Sequence, residues 1–294
     1  MNEKEIEKLV RQVVMEALSK GKAAETAKAV ALTPAEAEGL PDLREKDLYS
    51  WVSVSKPADA AGLALAAAST PARIGTGRTG PRPPLEHWLR FRADHAAAND
   101  AVLHEVSPEL VERLGFFEVS SRAATKDEFL TRPDLGRALS PEGAESIAKN
   151  CEKGARVLLV LADGLSSAAI EENVPDFVPA FEEVLKSCGL PLARGFFVRH
   201  GRVGVMDAIG EILAPEILVI LIGERPGLVT SRSMSAYMAY RPSSKTIESD
   251  RTLVANIHSG GIPAIEAAAH VAGIVREIAE AKASGMKLRQ MQGQ

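Results

Sequence analysis

Two near-continuous apolar runs, Val157–Ala162 and residues 217–222, constrain this chain more than any other feature. A strand with one wet face alternates apolar and polar side chains, whereas runs this uniform suit strands covered on both faces. Segments of helical period lie around them, at 141–151, 174–187, 207–213 and the Ala-rich 263–284. Residues 116–120, 195–199 and 252–257 supply further strands. This alternation predicts an α/β fold, with a Rossmann-like parallel sheet between helical layers over residues 116–294.

The N-terminal third reads differently. Ile6, Leu9, Val10, Val13 and Ala17 recur at helical spacing over residues 1–20, with Glu and Lys on the opposite face. Residues 21–50 are rich in Ala, Glu, Pro and Gly, a composition that buries too little apolar area to offset its ordering entropy. They are expected to form a flexible linker. Residues 51–115 are expected to form a small helical domain, with helices at 58–68, 85–104 and 107–114, broken by the Arg-, Gly- and Pro-rich segment 73–84. That segment reads as a subunit-contact surface.

Hydrophobic residues make up 46% of the 294 and charged residues 25%, enough apolar material for a buried core. A net charge of -4 gives no basic excess for a nucleic-acid surface. Cys151 and Cys188 are too few for a secreted disulfide scaffold and read as reduced thiols. The run 217–222 is too short to span a bilayer, and the charged N-terminus lacks an apolar signal core. The expected setting is the cytoplasm.

Ligands of open α/β sheets bind beyond the carboxyl ends of the strands. Three polar turns are expected there: Asp163-Gly-Leu-Ser-Ser, His200-Gly-Arg-Val and Gly223-Glu-Arg-Pro-Gly-Leu. Ser259-Gly-Gly-Ile-Pro263, before the last helix, is a weaker anion-site signal. His87, His95 and His104 are spaced too widely for a tight metal set, and no HExxH motif or Cys pair supports them. Asn256-x-His258-x-x-Gly261 only imitates a cobalt-ligating signature, because Asn replaces the acidic partner that would tune the imidazole. Neither a GxSxG nucleophile elbow nor a P-loop occurs, so neither a catalytic nor a metal-binding residue is predicted.

RIGTGRTGPRPP (73–84), LTRPDLGR (130–137), DGLS (163–166), FFVRHGRV (196–203), IGEIL (209–213), GERPGL (223–228), ESDRT (248–252) and NIHSGGIPAIEAA (256–268) run in order along the chain. Together they resemble the small subunit of ethanolamine ammonia-lyase. The resemblance implies adenosylcobalamin held between this chain and a large subunit, whose barrel would convert ethanolamine to acetaldehyde and ammonia. It also implies cofactor contacts at Val203, Glu224 and Leu253, the last a departure from the cysteine of some relatives. Residues 1–20 would direct the enzyme to a bacterial microcompartment. Two other readings remain open: a self-sufficient nucleotide-binding α/β enzyme using DGLSS and SGGIP, and a purely structural scaffold.

Overall fold

The computed structural model describes residues 42–47 and 50–292. The amphipathic segment 1–20 and most of the expected linker 21–50 lie outside the described residues. The chain divides into two units, Met1–Lys46 and Asp47–Gln294. Of the first, a single 3-10 turn at Leu43–Glu45 is described, capped by the Asp42 carboxylate.

The second unit opens with helices α1 (Ala60–Ala68), α2 (Leu85–Leu103) and α3 (Pro108–Arg113). Asp59 and Ser107 cap α1 and α3 by accepting from backbone N–H groups three residues on, and Pro108 fits the first turn of α3. There follow β1 (Phe117–Ser120), α4 (Lys126–Thr131), α5 (Pro141–Asn150), β2 (Val157–Ala162) and α6 (Ser167–Ser187). The chain continues through β3 (Leu192–Arg199), α7 (Val205–Leu213), β4 (Ile217–Gly223), β5 (Met234–Tyr240) and β6 (Thr252–Ile257), and ends with α8 (Ala264–Ala281) and α9 (Gly285–Gln292).

The strands form one sheet in the order β1-β3-β2-β4-β5-β6. Every residue of β2 and β4 is buried. Leu159, Leu161, Val219 and Leu221 face a core closed by α6, α8 and α3, which includes Phe177, Phe181, Val271 and Leu110. Leu158, Val160, Leu218 and Ile220 face a second core under α5 and α7, with Ile147, Met206 and Ile209. Two-sided burial thus has the cause read from the sequence.

The expected parallel sheet is present in part. β1, β3, β2 and β4 are parallel, but β5 runs antiparallel to β4 and to β6. The segment joining β4 to β5 contains no crossover helix, and without one the next strand must return antiparallel. β5 is itself absent from the strands expected of the sequence. Its Met-Ser-Ala-Tyr-Met-Ala-Tyr run alternates between the two cores and lacks a continuous apolar signature. Helix α6 begins at Ser167, not at 174, and continues through Pro175 and Pro179. Each proline removes one helical hydrogen bond, while burial of Ile170, Val174, Phe177 and Phe181 holds the helix on the sheet. The expected helix 263–284 is α8, ended by a left-handed Lys282, and α9 follows from Gly285.

Connections place the turns. β2 leads through α6 on one face to β3, and β3 leads through α7 on the other face to β4. Adjacent strands β2 and β3 therefore send their following segments to opposite faces, which opens a crevice at their carboxyl ends. The floor is closed by a glycine contact. Gly164, at φ +57°, lies so near β4 that a Cβ would come within 2.3 Å of the Gly223 carbonyl oxygen. A Cβ on Gly223 would meet the Ser166 carbonyl oxygen at 2.0 Å. With both side chains absent, the Leu165 N–H donates to the Gly223 carbonyl at 3.0 Å.

The segment 224–233 is held from three directions. Ser166 Oγ donates to the Ser231 carbonyl at 2.6 Å, and Asn173 Nδ2 to the Arg232 carbonyl at 3.0 Å. From the segment after α1, Arg73 Nη2 donates to the Leu228 carbonyl at 3.2 Å and pairs with Asp94 at 2.5 Å. Asp94 also pairs with Arg90, and both are buried. Arg73, expected within a subunit-contact surface, is thus engaged inside its own chain, while Arg78 and Arg82 are exposed. Loss of one such hydrogen bond is worth about 1 kcal/mol, or roughly fivefold in a local opening equilibrium. The variant Arg73→Ala is expected to speed hydrogen exchange at the Gly227 amide, which bonds Thr230, and to leave β4 amides protected. Unchanged exchange at Gly227 would show that Arg73 does not anchor this segment.

Candidate functional site

The three polar turns predicted for the sheet edge meet in one cleft of about 430 Å³. Gly164 and Leu165 come from the β2 turn, Arg202, Val203 and Gly204 from the β3 turn, and Gly223, Glu224 and Arg225 from the end of β4. Elements not foreseen at the site complete it: Phe129 of α4, Arg137, Ser235 and Tyr237 of β5, and Glu248.

Val203 and Glu224, two of the three expected contact residues, line this cleft. Leu253 does not. It lies on β6, 45% exposed, directly across the ladder from Tyr237, which does line it. Ser259–Pro263 also stands outside the lining. His258 Nδ1 accepts from the Gly260 N–H, within its own loop.

Glu224 is fixed on one side only. Its Oε1 accepts from Ser235 Oγ at 2.6 Å and from the Asn256 N–H at 2.9 Å. Asn256 adopts φ +59°, a left-handed conformation that Asn tolerates better than most residues. The second oxygen, Oε2, has no hydrogen-bond donor among the described residues. Burial first and the Glu224 charge second hold the Tyr237 phenol above its usual proton affinity. Tyr237 is therefore a neutral hydroxyl, and no protein partner for it exists among the described residues. A fixed acceptor beside a neutral donor matches a carboxamide, which presents N–H and C=O together.

The β3 turn is held by a buried carboxylate. Asp163 is 1% exposed and accepts from the His200 N–H at 2.9 Å and the Gly201 N–H at 3.1 Å. Burial raises its proton affinity, opposed by these two N–H groups and by nearby Lys126. His200 takes φ +55°, stacks on Phe129 and donates from Nδ1 to the Ala123 carbonyl at 3.1 Å. Asp163 therefore positions Arg202 and Val203 without lining the cleft itself. Glu248 is already engaged: it pairs with Arg251 at 2.7 Å, and Arg251 also holds Asp207.

The sequence signal for Tyr237 and Ser235 is faint, because they sit on β5, which no apolar run announces. A firmer clue exists for Arg137, which closes the LTRPDLGR segment.

The ethanolamine ammonia-lyase light chain family model matches residues 61–289. The ethanolamine ammonia-lyase small subunit of Listeria monocytogenes serovar 1/2a is 44% identical over 294 residues, covering 98% of this chain and all of the relative. The small subunit of Clostridium perfringens is 42% identical over 295 residues, and that of Clostridioides difficile strain 630 is 44% identical over 293, each with the same coverage. A match of this extent spans every element that builds the cleft, and the chain belongs to the ethanolamine ammonia-lyase small-subunit family.

Proposed function

We propose that this chain is the cofactor-clasping subunit of an adenosylcobalamin-dependent ethanolamine ammonia-lyase, with the cleft of Val203 and Glu224 as one wall of the corrinoid site. The observation that carries this reading is Glu224. Its Oε1 is saturated by Ser235 and Asn256, while Oε2 accepts no hydrogen bond among the described residues and the residue lines the cleft. A corrinoid is a broad, flat ligand rimmed with neutral carboxamides. Glu224 Oε2 and the Tyr237 hydroxyl suit one such amide, and Val203 suits the apolar ring edge.

A cleft of about 430 Å³ is far smaller than a corrinoid. The remaining walls must come from another polypeptide, here the large subunit, which would hold ethanolamine. The cofactor supplies homolysis of its cobalt–carbon bond, and the protein supplies binding, orientation and exclusion of water. This chain's residues serve that second part. Asp163 fixes the β3 turn, the glycine contact fixes the β2 and β4 ends, and Glu224 orients the amide. No residue of this chain is assigned a catalytic or metal-ligating role. Leu253, next to Tyr237 on the ladder, is assigned a flanking contact through backbone or side chain.

The wider reading keeps the division of the sequence: a helical domain at 51–115, a Rossmann-like cobalamin-contacting domain at 116–294 and, on the linker 21–50, a targeting helix at 1–20. The last would carry the cytoplasmic enzyme into a bacterial microcompartment by laying its apolar stripe in a partner's groove.

Glu224→Gln keeps an oxygen for Ser235 and Asn256 but turns the free acceptor into a donor. In the complex with the large subunit it is expected to weaken corrinoid retention by about 1–3 kcal/mol, measured by equilibrium dialysis. Retention equal to that of the parent complex would contradict the reading. Deleting residues 1–20 is expected to leave assembly and turnover intact and to disperse the enzyme from microcompartments, as followed by fluorescence microscopy. Loss of assembly with the large subunit would count against a targeting role.

A further inference from the structure

The cleft carries more positive charge than its own carboxylates can neutralise. Arg137, Arg202 and Arg225 all line it, with Glu224 and Glu248 as the acidic residues. Glu248 is already paired with Arg251, and Glu224, bonded through one oxygen to the neutral Ser235 and Asn256 groups, leaves a single carboxylate to face three guanidiniums. Among the described residues, neither Arg137 nor Arg225 makes a side-chain hydrogen bond or ion pair.

Arg202 is built into place. Its Nη2 donates to the Phe129 carbonyl at 2.7 Å, and its guanidinium lies 4.5 Å from the centre of the Phe129 ring. Its Nε is buried with no hydrogen-bond partner among the described residues. The backbone is shaped to admit it. A Cβ on Gly136 would meet Arg202 Cγ at 2.8 Å, and one on Gly204 would meet Arg137 Cγ at 3.0 Å. Burial first, then the charges of Arg137 and Arg225, lower the proton affinity of Arg202. Three like charges around one cleft repel, and an anion between them would offset that repulsion.

We infer that Arg202, with Arg137 and Arg225, forms a subsite for a phosphate ester, namely the phosphodiester on the nucleotide arm of the corrinoid. This rests on the cofactor-clasping reading. The amides around the corrin rim are neutral, so the phosphodiester is the side-chain group able to answer three guanidiniums. Arginine also suits it by geometry, since its planar fork matches phosphate oxygens. The rival source of negative charge is a carboxylate of the large subunit.

The test uses the complete complex of this chain with its large subunit. Equilibrium dialysis compares adenosylcobinamide with adenosylcobinamide phosphate, which differ by the phosphate ester alone. The parent complex is expected to prefer the phosphate form by roughly ten- to hundredfold, the span of charge-assisted hydrogen bonds. Arg202→Gln should bring that preference toward unity while adenosylcobinamide binds as before. Arg137→Gln and Arg225→Gln, at exposed positions whose loss leaves the fold undisturbed, should each reduce it in part. No preference in the parent complex, or one that survives all three substitutions, would overturn the phosphate assignment and leave the corrinoid wall standing. Variants that lose subunit association yet keep the preference in the remaining complex would also overturn it, transferring the arginines to a carboxylate of the partner. Binding of both corrinoids by the large subunit alone, as tightly as by the complex, would remove the clasp itself.

Discussion

Two-sided burial of β2 and β4 is the constraint from which the rest of the structure follows. Neither strand has a wet face, so helices must cover both sides of the sheet, and successive connections leave toward opposite layers. The crevice between diverging connections is then unavoidable at the carboxyl edge. What this chain adds is the close approach of Gly164 to Gly223, which brings the β2 turn against the end of β4 and leaves Glu224 at the rim. A side chain at either glycine would push those segments apart.

Charge in and around the cleft is divided between structure and ligand. The carboxylates there are already engaged: Asp163 holds a turn, Glu248 holds Arg251, and half of Glu224 holds β5 and β6 together. What remains for a ligand is one carboxylate oxygen, one phenol and three guanidiniums. Such a wall can bind amide and anion, which are strong interactions only where water is excluded. A single open wall does not exclude water. On the proposed reading, closure by a second polypeptide would belong to the chemistry and not merely to assembly.

Much of this is legible in the sequence because the central strands announce themselves. Val157–Ala162 and the run from Ile217 are uniform enough to fix strand position, and the turns after them follow directly. Those turns carry Val203 and Glu224, and the two do share a cleft. β5 is not legible, since small and polar residues alternate with Met and Tyr at a position whose burial is imposed by both neighbours. Its antiparallel direction depends on a segment held by Arg73, Ser166 and Asn173, contacts between residues far apart in sequence. Tyr237 and Ser235 are hidden with it. Arg137 closes the quoted LTRPDLGR segment and Phe129 just precedes it, but no element is predicted from the sequence there, and only the fold carries both residues to the β3 turn. Leu253 stands beside the cleft, across the ladder from Tyr237, and not in its lining.

The most direct measurement is the structure of the assembled complex with adenosylcobalamin bound. The corrin rim is expected against Val203, with a side-chain amide within hydrogen-bond distance of Glu224 Oε2. A coenzyme lodged wholly within the large subunit, with Glu224 facing solvent or protein alone, would contradict the corrinoid wall.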